Sequence, residues 1–391
     1  MKAGKNTGDV NKRNIIFLAI AKYLSGFGSY VYDVGIAIYL FEQTQSVAVM
    51  GGFFVSQLLP AIIILFTGKI IDQYNKKRLL VAANLVKSAM LVTLLFCQKI
   101  WIIYGITFFM NLMIEFEGNT LSAFMVNAFS KKRLLKTASI INLLDSASML
   151  IAPTLAAVLT MHFQVDINIT MDILLFLGVA VSYLFIVKNT DAELENQAEV
   201  KKEDGYQSIR KDKNMLRTIA FWNIFMFCIG LAAPLEISMI EKTLGMSAAY
   251  YGIGNTVEGI GMLIASGFVL GIIRKMKPTY IISIGLFSAA FSYLAIGISR
   301  NIWMYFIGAC LVGMTATFCP LGFKTEIQLK CNPKTVGRTF TTARFTILLT
   351  RAAGSLVVGK VLTFVDIRVI YYGICGILLV AAVCYLQKLR E

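Results

Sequence analysis

GKIIDQYNKKRLL, Gly68 to Leu80, joins the second and third long apolar runs of this chain. A glycine, an aspartate four residues later and the basic run Lys76-Lys77-Arg78 fill a loop too short to hold a domain. Between two apolar runs, such a loop clamps the ends of two membrane helices. Outward from it, apolar runs of roughly 20 to 26 residues recur along the chain. Each is long enough for a helix to cross a hydrocarbon core of about 30 Å.

The chain has 391 residues, of which 57% are hydrophobic and only 15% charged, against about 25% charged in soluble domains. That leaves too little polar surface to cover a water-soluble particle, so this is an integral membrane protein. A backbone in lipid must satisfy its own hydrogen bonds, which leaves helices or a closed barrel. Barrel strands would alternate polar and apolar residues over about 10 positions, and no such alternation occurs. The sequence therefore predicts an all-α polytopic protein with twelve transmembrane helices in two six-helix bundles. The spans fall near 15–40, 47–70, 79–97, 100–125, 136–160, 167–187, 215–240, 247–273, 279–298, 302–325, 337–361 and 367–387. The first run is too long for a secretory signal core and is expected to remain as a helix.

Lysine and arginine placement sets the orientation. One side collects Lys12, Arg13, Lys76, Lys77, Arg78, Lys131, Lys132, Arg133, Arg274, Lys275, Lys388 and Arg390, while the other has Lys99, Lys242, Arg300 and Arg368. The expected protein is multi-pass in the cell membrane, with both termini cytoplasmic. The net charge of +15 reads as topology, and no nucleic-acid partner is expected. The seven cysteines lack C-x-x-C spacing and His162 stands alone, so no metal site is expected. No G-x-x-x-x-G-K-[ST] loop is present, which argues against an ATP-driven pump or an enzyme.

One polar segment, Lys188 to Asn214, interrupts the pattern. It divides the chain into bundles 1–187 and 215–391 joined by a cytoplasmic linker, 188–214, as in paired-repeat transporters. Twelve helices suffice for a monomer.

The Gly68 loop resembles the signature G-x-x-x-D-x-x-x-[RK]-[RK] of the major facilitator superfamily, between helices 2 and 3. Gly68, Asp72, Lys76, Lys77 and Arg78 carry the match, while Gln73 and Asn75 replace the usual arginine and glycine. The resemblance implies that Asp72 faces the N-terminus of helix 11 near Gly337-Arg338, where the helix dipole favours a carboxylate. Asparagine tolerates left-handed backbone, so the turn at Asn75 is expected to keep that conformation. In helix 5, Ala152, Pro153, Ala156 and Ala157 resemble the antiporter motif G-P-x-x-G-G with alanines in place of glycines. The arginine that many drug/proton antiporters carry in helix 4 is matched here by Asn111. Further likeness to macrolide-efflux exporters of the superfamily rests on M-D-I-L at Met171 to Leu174, T-V-E at Thr256 to Glu258 and V-G-R-T-F at Val336 to Phe340.

Ionisable groups in membrane helices are costly, so each is a candidate site. The proton-coupling candidates are Asp33, Glu115, Glu117, Glu236 and Glu258. In the resembled fold, helices 1, 4, 7 and 10 line the central cavity, which places Asp33, Glu115, Glu117 and Glu236 along it. Glu115 and Glu117 stand about 200° apart around a helix, so only one faces the cavity. Lys22 and Asp145 are expected to pair, and Arg351 to reach Glu236. Arg344 and Arg351 lie seven residues apart on one face. Asp172 is expected to be a wet, interfacial aspartate. An unpaired membrane acid can take up and release a proton, because burial favours its neutral form and a nearby cation its charged form. Together these features predict a proton-coupled exporter of amphipathic small molecules, drawing on the proton gradient and needing no cofactor. Two alternatives remain: a carrier of an endogenous metabolite, siderophore, peptide or nutrient, and a sensor or assembly factor on a transporter scaffold.

Overall fold

A computed structural model describes residues 3–63, 73–129, 131–186, 213–271, 276–330 and 336–387. Gly68, Asp72 and most of the linker, 188–212, lie outside these residues. The described residues are helical and contain no strand. The long helices are α1 (Ala3–Thr44), α2 (Val47–Leu58), which a short helix at Pro60–Ile63 follows, α3 (Lys76–Phe96), α4 (Ile100–Ala128), α5 (Lys131–His162) and α6 (Val165–Leu184). They continue as α7 (Lys213–Ala232), α8 (Tyr250–Gly271), α9 (Pro278–Ile298), α10 (Ile302–Lys330), α11 (Val336–Val361) and α12 (Ile367–Gln387). Nine spans among the described residues are long and apolar enough to cross a membrane.

Contacts group the chain into two compact units, Met1–Tyr39 with Ser56–Ala198, and Leu40–Val55 with Glu199–Glu391. In the first, α3 packs along α4 and α6. Its core at one end gathers Leu18, Leu80, Leu121, Phe124, Val179 and Tyr183. In the second, α9 packs on α10 and α12, α8 on α10, and α7 on α11. The turn between α1 and α2 groups with this second unit because Gln45 is held there. Its amide donates to Glu241 at 2.9 Å, and its carbonyl accepts from Lys242 Nζ at 2.6 Å.

At the start of α3, Asn75 is not left-handed. It has φ −66° and ψ 115°, and its side chain accepts from the amides of Lys77 and Arg78. The asparagine is a helix N-cap, satisfying two of the donors that a helix start leaves free. That local bond outweighs any turn preference. Lys77 then reaches the end of α6, donating to the carbonyls of Leu184 at 2.7 Å and Ile186 at 2.9 Å. A cation at a helix C-terminus stabilises by roughly 0.3–1 kcal/mol. Lys77→Ala is expected to speed amide hydrogen exchange at 184–186, with Lys77→Arg closer to the parent. Equal exchange in all three proteins would remove this role.

Helix α7 does not end cleanly. It continues through a 3-10 turn at Ala233–Leu235, a helical turn at Glu236–Ser238 and a π turn at Met239–Thr243. Pro234 supplies no amide hydrogen, which forces the change of winding. Departures of this kind inside a membrane helix are tolerated where the backbone is buried in protein or lines a cavity.

Candidate functional site

A cavity of about 240 Å³ lies inside the first unit, lined among others by Lys22, Asp33, Asn111, Glu117 and Asp145. Three helices bring these residues together: α1 (Lys22, Asp33), α4 (Asn111, Glu117) and α5 (Asp145). Two of the three acids are neutralised. Lys22 Nζ lies 2.9 Å from Asp145 Oδ1, with both side chains about one-third exposed (31% and 39%). Lys87 Nζ, on α3, lies 2.6 Å from Glu117 Oε2 and is completely buried. The same Glu117 oxygen accepts from Ser25 at 3.3 Å, while Oε1 accepts from the Tyr183 hydroxyl at 2.7 Å. Lys87 also rests over the Phe176 ring at 4.1 Å from its centroid. Glu117 is thus the hub of a closed, buried network.

Asp33 is placed differently. It is half-buried, lines the cavity and accepts from the neutral amide of Gln57 at 2.8 Å. No ion pair to it occurs among the described residues. Glu115 is half-buried on α4, two residues from the Glu117 network.

A second group of charges occupies the second unit. Glu236, just past the 3-10 turn, Glu258 on α8 and Arg351 on α11 lie within electrostatic reach of one another. The expected pairing of Arg351 with Glu236 is not made: among the described residues no ion pair within 4 Å joins Arg351 to either carboxylate. Buried tyrosines frame them: Tyr293 and Tyr371 stack at 6.2 Å between ring centroids, and Tyr305 lies beside Gly254. The backbones that carry two of the charges sit at glycine crossings. A Cβ on Gly313 would meet the carbonyl oxygen of Glu258, and one on Gly230 that of Arg351. Such small residues let membrane helices approach closely. Arg344 is exposed, unlike Arg351.

Ala152, Pro153, Ala156 and Ala157 are all buried in α5, which runs through the proline without ending. Lys76 is half-buried and Arg78 exposed. Asp172 departs from expectation. It is fully buried, and neither carboxylate oxygen has a hydrogen-bond partner among the described residues. Seven residues into α6, about 10 Å from its start, it faces α1 at Gly28. The residue at the helix start is Asp166, bonded to Gln98. Nothing in the sequence marks Lys87, Tyr183, Ser25 and Gln57 as the partners of these acids. Ser25, Gln57 and Tyr183 are ordinary residues, and Lys87 a costly membrane base, until folding brings each against an acid distant in the chain. The break at Glu236 had a signal in Pro234.

Nine membrane-crossing spans among the described residues, with ionisable side chains lining a cavity in the first unit, are the frame of a polytopic solute transporter. The chain belongs to the Major Facilitator Superfamily, whose family model matches residues 18–239. It is 23% identical over 329 residues to macrolide efflux protein A of Streptococcus pyogenes, covering 80% of each chain. It is also 23% identical over 405 residues to the uncharacterized MFS-type transporter YkuC of Bacillus subtilis (strain 168), covering 97% of this chain and 93% of that one. Among solved structures, the nucleoside transporter NupG superposes with a TM-score of 0.82 at 10% identity, over 96% of this chain and 99% of that one. At that identity the likeness concerns the fold.

Proposed function

We propose that the protein is a proton-coupled exporter of amphipathic small molecules that works by alternating access, with both termini cytoplasmic and the monomer as the working unit. The observation that carries this reading is the charge balance of the first unit's cavity. Glu117 and Asp145 are each matched by a lysine, whereas Asp33 faces the cavity against a neutral amide. A proton and a cationic, amphipathic substrate compete for the one carboxylate left over. Uptake of the proton releases the substrate, and its loss readies the carboxylate for the next. The distant likeness to macrolide efflux proteins supports the direction and the size class of the cargo. The proton gradient supplies the energy.

The test uses everted membrane vesicles containing the protein, acidified inside and watched with a pH-quenched dye. Addition of a macrolide or another lipophilic cation is expected to release protons, and Asp33→Asn to abolish the release while the protein stays folded. Unchanged release in that variant excludes Asp33 as the coupling acid. Loss in Glu236→Gln or Glu258→Gln alone moves coupling to the second unit. Silence across a compound panel, with folded protein, favours a dedicated metabolite or peptide carrier.

A further inference from the structure

We propose that Asp172 is the carboxylate of a buried monovalent-cation site between α1 and α6, occupied by a proton or a sodium ion. The argument starts from orphaned acceptors. Asp172 is 0% exposed, and neither of its side-chain oxygens has a hydrogen-bond partner among the described residues. One turn earlier on the same face, Asn168 is 2% exposed. Its amide nitrogen donates to Ala156 O at 3.2 Å and Thr160 Oγ1 at 2.6 Å, leaving its Oδ1 also without a partner. Residues four apart share a helix face, so three unpaired acceptor oxygens lie along one strip of α6.

That strip packs on α1 where the sequence has glycine. A Cβ on Gly28 would stand 3.6 Å from Asp172 Oδ1, and one on Gly35 would press on the Asn168 amide. Between them on α1, Tyr32 lies within electrostatic reach of Asp172, and its hydroxyl is engaged by Thr107 at 2.7 Å.

Among the described residues, no ion pair to Asp172 occurs. On α1 it feels Asp33, another acid. On α3, Lys87 is committed to Glu117 and the Phe176 ring. On α6 itself, Asp166 is a further acid at the helix start. A carboxylate taken out of water without a donor or a cation is very costly, and such groups are paired, metal-bound or neutralised. A proton on the carboxyl, or a sodium ion held by Asp172 and the Asn168 carbonyl oxygen, removes that cost. Both are monovalent cations that couple transport to an ion gradient, and the same oxygens accept either.

The site is tested on the purified full-length protein without any transported compound, so the result does not depend on the exporter reading. Infrared difference spectra between acidic and alkaline sodium-free buffer are compared for the parent and Asp172→Asn, alongside saturable binding of radioactive sodium. A carboxylic-acid carbonyl band lost in Asp172→Asn and indifferent to sodium assigns the ligand as a proton. Sodium binding of about one per chain, lost in Asp172→Asn, assigns it as sodium. Neither signal, in folded protein, overturns the site. Gly28→Ser serves if Asp172→Asn does not fold, because it sets a hydroxyl donor beside Asp172 Oδ1. It is expected to weaken the cation's hold at least tenfold, and an unchanged affinity in that variant also counts against the proposal.

Discussion

Lys87→Met is expected to be among the most destabilising single changes in this protein. It leaves Glu117 buried with two hydroxyl donors, Ser25 and Tyr183, and no cation. Removing one partner of a buried ion pair costs about 3–5 kcal/mol, because the other charge stays behind uncompensated. Replacing both, as in Lys87→Leu with Glu117→Leu, is expected to recover much of that loss. The recovery is incomplete, because Tyr183 loses its acceptor and an unpaired buried polar group costs about 1–3 kcal/mol. Lys22→Met is the matched control. Its pair with Asp145 is about one-third exposed, and ion pairs open to water contribute about 0–1 kcal/mol. The check is the apparent Tm in detergent of the four proteins. If Lys87→Met and Lys22→Met unfold together, the buried network does not anchor α1, α3, α4 and α6 as the geometry states.

Gly313→Ala and Gly230→Ala are expected to lower stability and transport together. Each added Cβ meets a backbone oxygen, that of Glu258 or of Arg351. Backbone atoms cannot rotate aside as a flexible side chain can, so α8 parts from α10, or α7 from α11. Overpacking of this kind costs typically about 1–3 kcal/mol. It also moves a carboxylate or its guanidinium within the charge group of the second unit, so transport suffers beyond what stability explains. On α12, a Cβ at Gly376 meets nothing within 4 Å. Gly376→Ala is therefore expected to be neutral, or to gain up to about 1 kcal/mol from helix propensity. Equal apparent Tm values for Gly313→Ala, Gly230→Ala and Gly376→Ala would show that the crossings are not set by these glycines.

Much of the candidate site was legible as a set of costs rather than as a geometry. Asp33, Glu117, Glu236 and Arg351 stood out in the sequence because each is expensive in an apolar span. What each does depends on neighbours that sequence distance conceals. Glu117 and Lys87 are 30 residues apart and on different helices, and nothing local to either names the other. Asp33 and Glu117 looked alike in sequence, yet one meets a neutral amide and the other a lysine. In the sequence Asp172 lies close to an end of its span, but closeness to a span's end does not fix exposure. Its burial depends instead on which way the helix turns it, and α6 turns it onto Gly28.

By itself the sequence determined the twelve helices and their arrangement as a membrane protein, because hydrocarbon thickness and backbone satisfaction act on each segment separately. It also determined that acids stand inside those helices, since charge and apolar context are both written along the chain. Tertiary structure alone decided which acid is neutralised, which faces the cavity and which is sealed without a partner. The Coulomb and desolvation terms that separate those fates depend on distances of a few ångströms between helices. Such distances arise only where packed glycines and crossing faces bring remote residues together.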